Sequence, residues 1–149
     1  ADSIKMEGTL RTFNEQTREE YRTYVKQTLA GCTAINGGDY KVDWIQPSYP
    51  VTSNPAEVVN AALPSIERIV GKAGVVETAP QMGGEDFSLF QKEIPGAMFW
   101  LGIRNEAKGI TGGLHTTDFD IDEAALPVGV KTAAAILMDY LTSSRPASR

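Results

Sequence analysis

The stretch Ile4-Lys5-Met6-Glu7-Gly8-Thr9-Leu10-Arg11-Thr12-Phe13-Asn14 sets the reading of the whole chain. Ile4, Met6, Gly8, Leu10 and Thr12 fall on one parity, and Lys5, Glu7, Thr9, Arg11 and Phe13 on the other. Strand side chains alternate between faces, so the pattern predicts a strand with one buried face and Arg11 on the polar face near its C-terminal end. Asn14 then predicts a helix start, because its side-chain oxygen can accept from the free N–H groups of a first turn. Tyr21, Tyr24, Val25, Thr28, Leu29 and Cys32 follow at steps of three and four, the spacing of one helix face. Gly37-Gly38 ends that helix, and Tyr40, Val42 and Trp44 alternate with Lys41 and Asp43 in a second strand. The opening of the chain reads strand, helix, strand.

Pro47 to Pro55 has the composition of a linker, and Asn54-Pro55-Ala56-Glu57 behind it combines a capping residue, a proline at the first helical position and an early glutamate. Val59, Ala62, Leu63, Ile66, Ile69 and Val70 supply the apolar stripe of that helix, with Pro64 as a kink. Val75 to Thr78 predicts a short strand closed by Pro80. The loop Gln81-Met82-Gly83-Gly84 leads to Glu85-Asp86, opening a short helix with Phe87 and Phe90. Gly96 to Ile103 is apolar on both parities, as in a strand covered on both faces. A glycine-rich loop, Arg104 to Asp118, carries His115. Asp120 and Glu123 then predict a capping box for an alanine-rich helix ending near Leu141. Alternating helices and strands in two units, joined by a Pro-rich hinge, predict an α/β chain.

The chain has 149 residues, 42% hydrophobic and 22% charged, the balance of a soluble globular protein, which excludes disordered, collagen-like and coiled-coil classes. A net charge of -5 provides no basic face for phosphates, so nucleic acid is not expected as a partner. The longest apolar run, Ala97 to Leu101 with Gly102 and Ile103 behind it, is too short to span a bilayer, so no membrane is expected. One cysteine makes no internal disulfide, and one histidine makes no histidine-rich metal site. The chain starts at Ala1 and enters a strand pattern at once, which reads as a cut start; two strands alone make no stable sheet, which points the same way. A single cysteine and no targeting segment lean towards the cytoplasm, while a removed N-terminus would hide a signal peptide, so the compartment stays open.

Four places could carry chemistry. His115, flanked by Gly112-Gly113-Leu114 and Thr116-Thr117 after a buried strand, is placed like a ligand or an acid–base group; the alternative is a surface histidine bonded to backbone. In Met82-Gly83-Gly84-Glu85-Asp86-Phe87 the glycines allow backbone to approach a ligand and the helix start offers N–H groups to an anion; the alternative is a tight turn with acids suited to the helix dipole. Arg11 at a strand end can grip a carboxylate through two parallel bonds, or lie solvated. Cys32, on the apolar stripe of its helix, reads as a small core residue.

Read in order, Gly8-Thr9-Leu10-Arg11-Thr12-Phe13, Tyr49-Pro50 leading to Asn54, Met82-Gly83-Gly84-Glu85-Asp86-Phe87, Pro95 to Gly102, Gly113-Leu114-His115-Thr116 and Phe119 to Pro127 resemble one family. This is the zinc-dependent aminoacylase and carboxypeptidase family, in the branch of hippurate hydrolases and indole-acetyl-amino-acid hydrolases, and the resemblance covers essentially the whole chain. It implies the C-terminal part of a two-metal hydrolase catalytic domain plus half of a ferredoxin-like lid. Residues 1–48 would be the second half of the lid, 49–54 the hinge, 55–142 the closing part of the catalytic domain and 143–149 a disordered tail. His115 resembles the family's last metal ligand, Arg11 the lid arginine that binds the substrate's carboxylate, and Gly83, Gly84, Glu85 and Asp86 the loop lining the cleft.

The resemblance further implies a divalent metal, zinc or manganese, in the intact enzyme, an N-acyl amino acid as substrate and a homodimer formed through the lid. No catalytic residue is assigned in this chain. In the family the other ligands and the general base come from a segment that precedes these residues, so a chain inactive alone is expected. Two other readings stand beside this one: a non-catalytic binding or dimerisation module, and a diguanylate cyclase-like domain, because Gly83-Gly84-Glu85-Asp86-Phe87 resembles a scrambled form of that family's signature.

Overall fold

A computed structural model describes residues 2–45 and 48–143. Gln46 and Pro47, at the start of the expected linker, and 144–149 of the expected tail lie outside the described residues. Four α-helices organise the chain: α1 (Glu15–Asn36), α2 (Ala56–Val70), α3 (Phe87–Glu93) and α4 (Ala125–Ser143). Two compact units are present, one of Ala1–Ser53 with Ala79–Pro95 and one of Asn54–Thr78 with Gly96–Arg149.

In the first unit α1 begins where its cap predicts. The Asn14 carboxamide oxygen accepts from the Thr17 backbone N–H at 2.7 Å. It stops where its glycines predict: Gly37 takes the left-handed conformation, φ 66°, and both Gly37 and Gly38 donate to the Thr33 carbonyl. The segment expected as the second strand runs beside α1. Val42 and Trp44 are half-buried while Lys41, Asp43 and Ile45 are exposed, so the period-2 alternation survives as burial. Arg22 lies over the Trp44 ring, 5.2 Å from its centroid, and Arg18 donates to the Tyr49 carbonyl at 2.9 Å. Cys32, expected in a core, is exposed, because nothing among the described residues covers its side of α1.

In the second unit α2 and α4 pack together. The Ser65 hydroxyl donates to the Asp139 carboxylate at 2.5 Å and Arg68 joins it at 2.7 Å, and these two bonds hold the Asp139 carboxyl below the usual carboxylate range. A Cβ on Gly129 of α4 would lie 2.9 Å from Leu101 Cδ2, so the apolar segment 96–103 comes close against that helix. Two capping expectations fail here. Asn54 does not cap α2; its carboxamide brackets the backbone of Met98, donating to the carbonyl at 2.7 Å and accepting from the N–H at 2.9 Å. Pro55 occupies the cap position with no side-chain bond. Asp120 does not pair with Glu123 in a capping box either; it accepts from its own neighbour Ile121, and Asp122 accepts from the Ala124 N–H at 3.2 Å.

The larger departure concerns strands. Among the described residues no ladder forms, and the only pairing is an antiparallel bridge between Asn105 and Ile110. The segments 4–13, 40–44, 75–78 and 96–103, expected as strands, pair with no neighbour among the described residues, and the regular structure is helical. A strand is a relation between two segments, because its N–H and C=O groups point sideways to a partner. No hydrophobic side chain among the described residues is buried; the buried residues are Ser65, Ser88 and Thr132. Ile4 and Met6, on the parity expected to face a core, are 81% and 77% exposed. No described helix is long and apolar enough to cross a membrane.

Candidate functional site

Arg11 stands out by elimination. Among the described arginines, Arg18 pairs with Glu15, Arg22 with Glu19, Arg68 with Asp139 and Arg104 with Glu106. Arg11 alone of the five has no carboxylate, and no hydrogen bond of its guanidinium is formed among the described residues. It is not remote from other candidate groups. The position a Cβ would take on Gly84 lies 3.1 Å from Arg11 Nη1 and 3.7 Å from the Tyr49 ring. The glycine lets backbone approach the guanidinium without covering it. The structure thus brings together two segments separated by most of the first unit's sequence, with a depression of about 600 Å³ beside them that Arg11 and Met82 help to line.

The neighbouring acids do something else. Glu85 and Asp86 form no ion pair with Arg11; their carbonyls accept the Ser88 and Leu89 N–H groups that open α3. Ser88, 1% exposed, also donates its hydroxyl to the Glu85 carbonyl at 2.6 Å. The N–H groups expected to be free for an anion at this helix start are therefore partly spent on the turn. Gly83 meets nothing within 4 Å of a built Cβ.

His115 lies in the second unit and is exposed. It is the only described non-glycine residue with positive φ, at 66°, a conformation that is uncommon for such residues and worth about 1 kcal/mol or more of strain. The loop around it is closed at three levels. Thr116 donates through backbone and hydroxyl to the Gly113 carbonyl at 3.3 and 2.8 Å. Lower down, a Cβ on Gly112 would collide with the Asp118 carbonyl, so the two passing strands of the loop touch backbone to backbone. At the base, the Asp122 N–H donates to the Ile103 carbonyl at 2.9 Å. The Asp122 carboxylate takes Asn105 at 2.5 Å and Lys108 at 2.6 Å, which with the Ala124 N–H lower its pKa to about 2. The imidazole makes no hydrogen bond among the described residues, so the backbone-bonded alternative is not what is seen. Sequence reading missed this clasp; its one signal was Asn105 and Asp122, two residues able to bind backbone and side chain at either end of a glycine-rich loop.

Among the described residues no three groups of the His, Cys, Asp or Glu type gather within reach of one metal ion. An open zinc site needs about three protein ligands. The described residues, His115 included, offer no such set of three.

A family model for peptidase family M20/M25/M40 matches residues 5–139. The chain belongs to that family. Its matched span takes in Arg11, the Gly83–Asp86 loop and His115, and it favours neither the non-catalytic module nor the diguanylate cyclase-like reading. In the structure Phe87 opens a helix, whereas the latter signature needs a turn between two strands. The thermostable carboxypeptidase 2 of Saccharolobus solfataricus is 33% identical over 139 residues, 93% of this chain and 35% of the relative. The N-acetylcysteine deacetylase of Bacillus subtilis is 33% identical, over 94% of this chain and 35% of its own. The IAA-amino acid hydrolase ILR1-like 4 of Arabidopsis thaliana is 29% identical, over 94% and 32%. The chain spans about a third of the length of the curated relatives it matches. No solved structure matches it significantly. Hydrolases of this family generally use divalent metals and act on small-molecule amides.

Proposed function

We propose that this chain is the C-terminal part of a metal-dependent amidohydrolase that cleaves N-acyl amino acids. Residues 1–48 form half of a ferredoxin-like lid in an α/β enzyme, 49–54 the hinge and 55–142 the closing part of the catalytic domain. Arg11 holds the free carboxylate of the substrate's amino-acid end, and a fixed cation there orients the scissile amide. Gly83, Gly84, Glu85 and Asp86 line the cleft beside it. His115 is one ligand of a zinc or manganese site. The other ligands and the general base come from polypeptide outside these residues, and the lid halves of two copies pair in a homodimer. The observation that carries the reading is Arg11: a guanidinium without a carboxylate, set against a glycine loop, in a chain whose other described arginines are all paired.

The names of the relatives supply the substrate class. One is a carboxypeptidase, one an N-acetylcysteine deacetylase and one an IAA-amino acid hydrolase, and an N-acyl amino acid is the substrate class that fits all three names. The test is hydrolysis of N-acetyl and N-benzoyl amino acids with zinc or manganese, by the chain alone and together with polypeptide that completes the family's catalytic domain. The chain alone is expected to be inactive. The completed assembly is expected to turn over, to lose activity in His115→Ala and to show a raised KM in Arg11→Ala. Turnover by the chain alone would overturn the shared site, and an inert completed assembly would overturn the hydrolase reading.

A further inference from the structure

The depression that holds Arg11 has a composition the carboxylate grip does not require. Its walls carry no carboxylate, lysine or histidine, and Arg11 is the one charged side chain among them. Its other polar lining is uncharged, from Thr9, Thr12, Asn14 and Thr17, and part of it is spent locally: the Thr12 hydroxyl donates to the Asn14 carbonyl at 2.9 Å and the Asn14 carboxamide oxygen accepts the Thr17 N–H. The rest of the lining offers apolar surface. Leu10, Phe13, the Tyr21 ring and Met82 line the depression together with Arg11, with Phe13 47%, Tyr21 49% and Met82 55% exposed. The Tyr21 ring is held edge-on against Tyr24, centroids 6.1 Å apart, which gives that wall a fixed orientation. Met82, on the loop before Gly83-Gly84, has the flexible side chain that adapts to ligands of different shape.

From this arrangement we infer that the Arg11 depression selects N-acyl amino acids with a bulky apolar side chain. The inference rests on the proposed role of Arg11 and extends it to the group attached at the α-carbon. A carboxylate on the guanidinium brings the side chain of the same amino acid within a few ångströms of these walls, where it covers exposed apolar surface. A charged side chain finds no partner there. An acidic one would compete for the only cation, and a basic one would meet no acid, so both lose solvation without recompense. Glycine derivatives leave the walls wet.

The test is ligand titration of the full chain followed by NMR, with N-acetyl-L-phenylalanine, N-acetylglycine and N-acetyl-L-phenylalaninamide as probes. The phenylalanine acid is expected to bind about tenfold tighter than the glycine acid, the scale on which apolar pockets discriminate. The amide, lacking the carboxylate, and Arg11→Ala are expected to abolish saturable binding. Met82→Ala and Tyr21→Ala each are expected to shrink the ratio between the two acids; Met82 is exposed on a loop, so its variant does not depend on refolding. Equal binding of the two acids, both lost in Arg11→Ala, would overturn the apolar selection and leave the carboxylate grip standing. Binding indifferent to Arg11, or none by either acid, would overturn both.

Discussion

A glycine is informative where a methyl group has no room, and the His115 loop contains such a place. At Gly112 the added Cβ meets the Asp118 carbonyl, which is backbone and cannot swing aside, whereas at Gly113 it meets only Thr116 Cγ2 at 4.0 Å. Gly112→Ala is therefore expected to open the loop neck at a cost of about 1–3 kcal/mol, the usual range for overpacking. Gly113→Ala is expected to change little. Amide exchange at Thr116 and Phe119, whose N–H groups close the loop, checks it: faster exchange in the first variant only. Gly84 is the milder case. Its Cβ would stand 3.1 Å from the mobile end of Arg11, so Gly84→Ala is expected to shift the guanidinium by a few tenths of an ångström and leave stability within about 0.5 kcal/mol. A loss of N-acyl amino acid affinity with unchanged melting temperature is the result to look for. Arg11 and His115 could be singled out as candidates from residue type and setting, an arginine at the end of an alternating segment and a glycine-flanked histidine. That Arg11 is free of carboxylates was not legible, because it depends on where four other arginines find theirs.

At the scale of elements, the same local logic explains which ends of helices could be read. Asn14 and Gly37 bind groups three or four residues away, so the sequence around them contains both partners. Asn54 and Asp120 belong to the same residue classes and fail as caps because other partners win: Asn54 takes Met98, far along the chain, and Asp122 serves the start of α4. Asn14→Ala is accordingly expected to lower stability by about 1 kcal/mol and fray the first turn of α1, whereas Asn54→Ala is expected to release segment 96–103 and leave the start of α2 intact. Far-UV circular dichroism falls for the first variant, and exchange at Met98 rises for the second. The Asp122 clasp adds a pH dependence. Its pKa is about 2 in the folded chain against about 3.9 for an ordinary aspartate, so the contribution is complete above about pH 4 and is lost as pH falls towards 2. Lys108→Met removes the largest cause and is expected to move the Asp122 titration, followed by carboxyl NMR, up towards the ordinary value. An unchanged midpoint would assign the shift to Asn105 and the backbone.

For the molecule as a whole the decisive fact is the absence of any buried hydrophobic side chain among the described residues, although hydrophobic residues make up 42% of the sequence. The strand patterns were visible in the sequence because alternation is local; the ladders were not, because a partner strand is a separate piece of chain. Segment 96–103 shows the point: apolar on both parities as in a strand with neighbours on each side, it leaves Phe99 46% and Trp100 56% exposed. Cooperativity in unfolding scales with the area exposed, so the chain by itself is expected to unfold in urea with a slope below the ~1–3 kcal/mol/M of small compact domains. The two tryptophans report separately, Trp44 from the first unit and Trp100 from the second. In Trp44→Phe, where Trp100 is the sole tryptophan, a red-shifted emission is expected for the chain alone. A blue shift and a steeper transition are expected once polypeptide completing the family's catalytic domain is added, since Trp100 then gains the covering its segment is patterned for. A steep transition and blue emission in the chain alone would instead mean that these apolar faces find each other without help, and the shared-domain reading would fall with that result.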